Sequence, residues 1–268
     1  GTAMFEAFKS GAIDFWNEED PARWASGYDI AAVRDGRIVK TTFDIGLPAG
    51  MTALVFNTRR QIFADPRVRR ALIQLFDFEW VNRNLYHGLY KRTQSFFERS
   101  MLSSHAHPAD ERERALLAPF KDAVRPEILE GKYALPTSDG SGQDRANLRA
   151  AFDLLKQAGY ALKGTSMVKS DTGQPLVFEM LATSVAQERL FAGYANTLSR
   201  LGIAARIRVV DSAQYQQRLT HYDFDMIQAT WPSSLSPGNE QIFRWDSRMA
   251  AQDGTYNWAG VASPAVDA

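Results

Sequence analysis

The chain has 268 residues, with 31 lysines and arginines against 31 aspartates and glutamates, four histidines and no cysteine. At about 100–200 residues per domain this is one large domain or two modest ones, and 45% hydrophobic residues can build a core, which excludes wholesale disorder. Without cysteine there is no disulfide scaffold, thiolate-held metal or cysteine nucleophile. Balanced charge argues against a dedicated nucleic-acid binder, and no run approaches the ~20 apolar residues of a membrane span.

The opening GTAMFEAFK reads as a short amphipathic helix (Met4, Phe5, Phe8) ended by Gly11, rather than as a leader. Residues 38–45 alternate weakly behind the turn Asp35-Gly36 and are expected to form a strand. Leu54 to Asn57 reads as a buried strand. Asp65 then suits an N-cap and Pro66 the first helical position, and Val68, Ala71, Leu72, Leu75 and Phe76 recur at helical spacing. Residues 86–145 are irregular, rich in proline and glycine, with a short helix expected near residues 112–121. An irregular stretch of that length is usually functional or wraps over a neighbour.

The last third is rhythmic. Leu148, Ala151, Phe152, Leu155 and Ala158 mark a helix ended by Gly159, and residues 176–181 a strand. Leu190, Phe191, Tyr194, Leu198 and Leu201 mark a second helix ended by Gly202. Ile203, Ala205, Ile207 and Val209 alternate as a strand. Ser212 is expected to cap a helix carrying Tyr215 and Leu219, and residues 224–230 form a further strand. Alternating strands and helices predict an α/β fold with a mainly parallel sheet flanked by helices. Ligands of such sheets sit outside the carboxyl ends of the strands. That places attention on the loop WPSSLSPGNE at 231–240, which offers a flat apolar wall, hydroxyls and an amide on a backbone stiffened by proline. The final Pro264 to Ala268 reads as a helix start cut short, so the chain is read as a piece of a longer protein.

Motifs for chemistry are sparse. His105-x-His107 lacks a third ligand at a telling spacing, and His87 and His221 have aromatic neighbours and read as partly buried. Ser166 to Lys169 matches S-x-x-K, but in an expected hairpin and without its companion motifs. Gly140-Ser-Gly142 is no nucleophile elbow, and no phosphate-binding glycine loop occurs. Asp223, Asp225 and Glu240 could pair as carboxylates only if they faced one substrate.

The segment FNTRRQIFADPRVRRAL at 56–72, followed by Phe76-Asp77 and Gly88, resembles the signature of family-five bacterial extracellular solute-binding proteins, the receptors of oligopeptide, dipeptide and nickel ABC importers. FEAFKSG at 5–11, DGSG at 139–142, RANL at 145–148, LLKQAGY at 154–160, VVDSAQY at 209–215 and SLSPGNEQ at 234–241 resemble the peptide and microcin branch. The resemblance implies a periplasmic-binding-protein-like lobe, an excised C-terminal part of a two-lobe receptor. In that reading, residues 1–50 are hinge-proximal and belong partly to the other lobe, 51–260 are the second ligand-binding lobe, and 261–268 begin a truncated helix.

It further implies a non-enzymatic, periplasmic, monomeric protein without cofactor or metal, which captures a solute, expected to be an oligopeptide, and delivers it to inner-membrane permease subunits. The expected ligand contacts are Trp231, Ser233, Ser234, Ser236 and Asn239 in the loop, Asn57 and Thr58 at a strand end, and Tyr90, Phe96 and Tyr256 as aromatic walls. Many peptide receptors place an aspartate near the position of Ser234 to hold the peptide ammonium; here no aspartate stands in 231–240. The alternative reading is a hydrolase or transferase lobe with a serine or carboxylate in the same cleft, which would show a nucleophile within reach of a base. A sensory or interaction domain that uses the same fold without transport is a third.

Overall fold

A computed structural model describes residues 2–268. The helices and strands are, in chain order, α1 (Thr2–Lys9), α2 (Ala31–Arg34), β1 (Met51–Phe56), α3 (Pro66–Gln74), α4 (Phe78–Leu85), α5 (Glu111–Leu117) and α6 (Pro126–Leu129). There follow α7 (Arg145–Gln157), β2 (Tyr160–Lys163), β3 (Ser166–Lys169), β4 (Val177–Ala182), α8 (Val185–Ser199), β5 (Ala204–Val209), α9 (Ser212–Thr220), β6 (Met226–Trp231), α10 (Glu240–Trp245) and α11 (Pro264–Asp267). The chain divides into a small unit, Gly1–Ile45 with Val81–Lys91, and a large one, Gly46–Trp80 with Arg92–Ala268.

The small unit has a core of Phe5, Tyr28 and Ala32. The Glu18 carboxylate organises it, accepting from Trp16 Nε1 at 3.0 Å and Tyr28 OH at 2.9 Å and pairing with Arg23 Nε at 2.9 Å. Lys40 Nζ lies 4.1 Å from the Trp24 ring. The strand expected over 38–45 does not form: Val39, Phe43 and Ile45 are exposed and the segment stands outside both sheets. Alternation alone cannot make a strand, because a ladder needs a second strand to accept its hydrogen bonds.

The large unit is built on a four-stranded sheet in the order β1-β6-β4-β5. β4 is parallel to β5 and to β6, and β1 closes one edge antiparallel to β6, from Met51↔Trp231 to Phe56↔Met226. One side carries α8, packed on β4 and β5, with α3 against α7. Phe63 and Phe178 stack edge to face at 5.4 Å, and Tyr194 of α8 donates to the Leu72 carbonyl of α3 at 2.7 Å. The second core combines Val55, Leu181, Val210, Tyr222, Phe224, Ile227, Ala229 and Trp231, with Tyr215 and Leu219 of α9 packed on it.

Helix starts follow local chemistry. Asp65 accepts from Arg67 N and Pro66 opens α3, while Asp144 accepts from the first-turn amides of α7. For α9 the cap is Asp211, not Ser212: Asp211 is extended and its carboxylate accepts from Gln214 N at 2.9 Å, whereas Ser212 is already helical. The irregular stretch is fastened by polar contacts. The Ser138 hydroxyl donates toward both Asp77 and Glu79, and Gly142 N donates to Asp77 at 2.8 Å.

Candidate ligand-binding site

β5 follows β4 on one side of it and β6 returns to its other side, so the strand order reverses between β4 and β6. Such a switch point opens a crevice at the carboxyl ends of the two strands. Here those ends are Thr183-Ser184 after β4 and the 231–240 loop after β6. Ser184 caps α8 by accepting from Gln187 N at 3.2 Å, and Gln187 Oε1 accepts in return from Thr183 N at 2.8 Å.

An aromatic cluster fills the β6 side. Trp231 lies 5.3 Å from Trp245, 5.4 Å from Trp258 and 5.8 Å from Phe96, measured between ring centroids. Phe96 also packs edge-on to Trp245 at 4.7 Å, and Tyr256 stands edge-on to Trp258 at 5.6 Å. The indole N–H groups are held internally: Trp245 Nε1 donates to Gln241 Oε1 at 2.9 Å and Trp231 Nε1 toward the Tyr256 carbonyl at 3.4 Å. Trp231 is only 4% exposed, whereas Phe96 is 39% and Tyr256 55%. Trp231 is therefore the floor on which the more accessible rings rest.

The loop is tied to the cluster at its root. Ser233 Oγ donates to the Phe96 carbonyl, and Ala49 N donates to Glu98 O at 2.8 Å, which holds the 94–98 segment beside β1. Ser234 is exposed and its Oγ accepts from Ser236 N at 3.2 Å; Ser236 and Asn239 are also exposed. The Glu240 carboxylate turns back on the loop, accepting from Gly238 N at 2.9 Å and from Gln241 Nε2 at 3.0 Å. The Gly238 amide, followed by the Gln241 side chain, holds this carboxyl below its ordinary range.

Asn57 and Thr58 are occupied by the chain itself. The buried Asn57 amide donates to the carbonyls of Tyr222 and Phe224, both at 2.9 Å, and its oxygen accepts from Arg59 Nη1 at 3.1 Å. Thr58 Oγ1 donates to the carbonyl of Ala259 at 2.7 Å, with that of Gly260 at 2.9 Å. Arg59 extends this fastening to Ala250 O at 2.7 Å and Asn257 O at 2.9 Å, its guanidinium 3.7 Å from the Tyr222 ring, and burial lowers its pKa. Thr58 and Arg59 pin the 250–260 segment, which carries Tyr256 and Trp258, and Asn57 orients Arg59. Tyr90 belongs to the small unit, where it packs edge-on to Tyr86 at 4.8 Å.

Sequence reasoning missed Trp245 and Trp258. The spacings Phe243-x-Trp245 and Tyr256-x-Trp258 were the available signal, but neither lies at a strand end. For catalysis the layout offers little. His221 Nδ1 is 2.7 Å from Asp253 Oδ2, yet among the described residues no serine or threonine hydroxyl is hydrogen-bonded to an imidazole. Nor do the described residues gather three or more histidine or acidic side chains placed to hold a metal.

The fold is that of an α/β protein with a mainly parallel sheet, and the aromatic cluster stands at the carboxyl end of β6. The chain belongs to the bacterial extracellular solute-binding proteins, family 5: the family model (its middle region) matches residues 1–252. A putative binding protein of Brucella melitensis is 53% identical over 267 residues, covering 100% of this chain and 43% of the relative. The peptidoglycan-binding protein YepA of Agrobacterium fabrum is 46% identical, covering 99% of this chain and 44% of its own length. The oligopeptide-binding protein AppA of Bacillus subtilis, solved with a nonapeptide, superposes with a TM-score of 0.67 at 18% identity, over 99% of this chain and 45% of AppA. The chain thus spans less than half the length of these proteins. Family and relatives are binding proteins rather than enzymes, and among the described residues no helix is long and apolar enough to cross a membrane.

Proposed function

We propose that this chain is a ligand-binding lobe of an extracytoplasmic receptor, which captures a peptide-containing solute and presents it to the permease of an ABC importer. The observation that carries this reading is the aromatic edge at the end of β6, where Phe96 and Tyr256 are presented on a base of buried Trp231 and half-buried Trp245 and Trp258, beside a loop of neutral hydroxyl and amide groups. Rings offer apolar faces to side chains, and Ser234, Ser236 and Asn239 offer hydrogen bonds to peptide groups. The nonapeptide held by AppA and the name of YepA support a peptide, including the peptide stems of peptidoglycan fragments.

The loop brings no free carboxylate. There is no aspartate in 231–240, and both Glu240 oxygens serve the loop backbone. The reading therefore favours ligands whose recognition at this edge does not depend on a free ammonium group. Transport follows from closure around the ligand, which binding can favour only through contacts better made in the closed form.

The test is a thermal-shift and tryptophan-fluorescence screen of the longer protein that carries this lobe. Free peptides, N-acylated peptides and peptidoglycan fragments are compared. At saturating ligand the gain is expected to be about 3 kcal/mol at a few hundred times Kd. F96A/Y256A should weaken binding by roughly tenfold or more with little loss of stability. Unchanged affinity in that variant would remove this edge from the site, and a screen in which only non-peptide solutes bind would overturn the ligand class.

A further inference from the structure

We propose that the outer edge of β5 docks an extended acidic segment of a partner protein by strand addition. β5 is the edge of the sheet, next only to β4. Ala204 N donates to Leu176 O at 3.1 Å and Val210 N to Ala182 O at 2.9 Å, so the even-numbered residues turn their backbone toward β4. The N–H and C=O groups of Ala205, Ile207 and Val209 then point away from the ladder, forming a row of donors and acceptors ready for a further strand.

The side chains set the sign of what can pair there. Arg206 and Arg208 project to the same face of the sheet, both exposed, and neither has an ion-pair partner among the described residues. The acids that could have answered them are engaged. Glu179, directly across from Arg206 in the ladder, pairs with Arg218 at 2.7 Å, and Asp223 is shared by Arg60 at 3.0 Å and Arg218 at 3.1 Å. Beside Arg208 runs an open polar groove of about 500 Å³ along α9, lined also by Gln214, Gln217 and His221 and by Glu179 and Asp223, whose carboxylates are both held by Arg218 in the same wall.

Two arginines on an edge strand discourage pairing with a second copy of the same strand, since like charges would oppose one another. The same two charges favour a strand with acids at alternate positions, whose side chains would enter the groove beside Arg208 while its backbone completes the ladder.

The experiment measures binding to the whole chain, by fluorescence anisotropy at low salt. The probes are a blocked peptide alternating glutamate with threonine, the same peptide with lysine for glutamate, and the acidic peptide N-methylated at alternate amides. Expected is a preference of about tenfold or more for the acidic peptide, weakening with salt. Methylation should abolish it, and R206E/R208E should reverse it toward the lysine peptide. Both side chains are exposed, so that variant should keep its fold, which circular dichroism checks. Equal affinity for the two charge types, no acidic binding, unchanged binding after N-methylation, or a preference untouched by R206E/R208E would each overturn the proposal.

Discussion

Gly50 stands where any side chain would collide: a Cβ there would lie 2.5 Å from the Trp231 carbonyl oxygen and 3.0 Å from Pro232 Cα. Backbone atoms cannot swing aside, so G50A should cost about 1–3 kcal/mol in denaturant unfolding and alter the tryptophan emission of the cluster. Asn57 is the second residue on which the site depends. N57A takes the donor from the Tyr222 carbonyl and leaves the Phe224 carbonyl with Arg60 Nε alone, and should cost on the order of 2 kcal/mol by the same assay. Ligand affinity should fall only as far as the 250–260 segment loosens. A loss of affinity with stability intact would instead make Asn57 a ligand contact. From sequence, Asn57 looked like a contact because it follows a strand read as ending beside the cleft, whereas the end of β1 lies opposite Met226, at the far end of β6 from the 231–240 loop. What it bonds was not legible, since its partners are main-chain carbonyls at positions 222 and 224.

At the scale of elements, local chemistry was readable and distant pairing was not. Asp65-Pro66 and the glycines after α7 and α8 each act through a neighbour within four residues, so α3, α7 and α8 could be read directly. The 38–45 segment has the alternation of a strand but no partner, and alternation says nothing about partners. The aromatic cluster joins residues from 96, 231, 245, 256 and 258, and no periodicity links them. The turn after α10 makes a prediction of its own. Asp246 bonds the Arg248 guanidinium, and also accepts from Arg248 N, and these hydrogen bonds bring its pKa down to about 2. Its native value lies below the ordinary aspartate value of about 3.9, so its contribution is present above pH 4 and is lost as pH falls from there toward 2. A carboxyl NMR titration should place the midpoint near 2 and D246N should abolish that pH dependence. A midpoint near 4 would show that the ion pair is not formed in solution.

On the scale of the whole molecule, the sequence resemblance and the family assignment agree, and the sheet is of the expected mainly parallel kind. The order β1-β6-β4-β5 was beyond reading, because chain order does not say on which side of β4 a returning strand will lie. A lobe that makes only part of a ligand's contacts holds it weakly. Calorimetry of the 268-residue chain with a nonapeptide should therefore give a Kd no tighter than about 1 μM. Nanomolar affinity would mean that this chain encloses its ligand unaided.

The antiparallel pairing at the edge has a mechanical corollary. Met51, the first residue of β1, lies opposite Trp231, the last of β6. Sliding one strand past the other would break the whole ladder and turn every side chain to the wrong face. Gly50 and the root of the 231–240 loop thus sit at the same end of one ladder, and a reporter dye at Pro232 is expected to register a displacement of the chain ahead of β1.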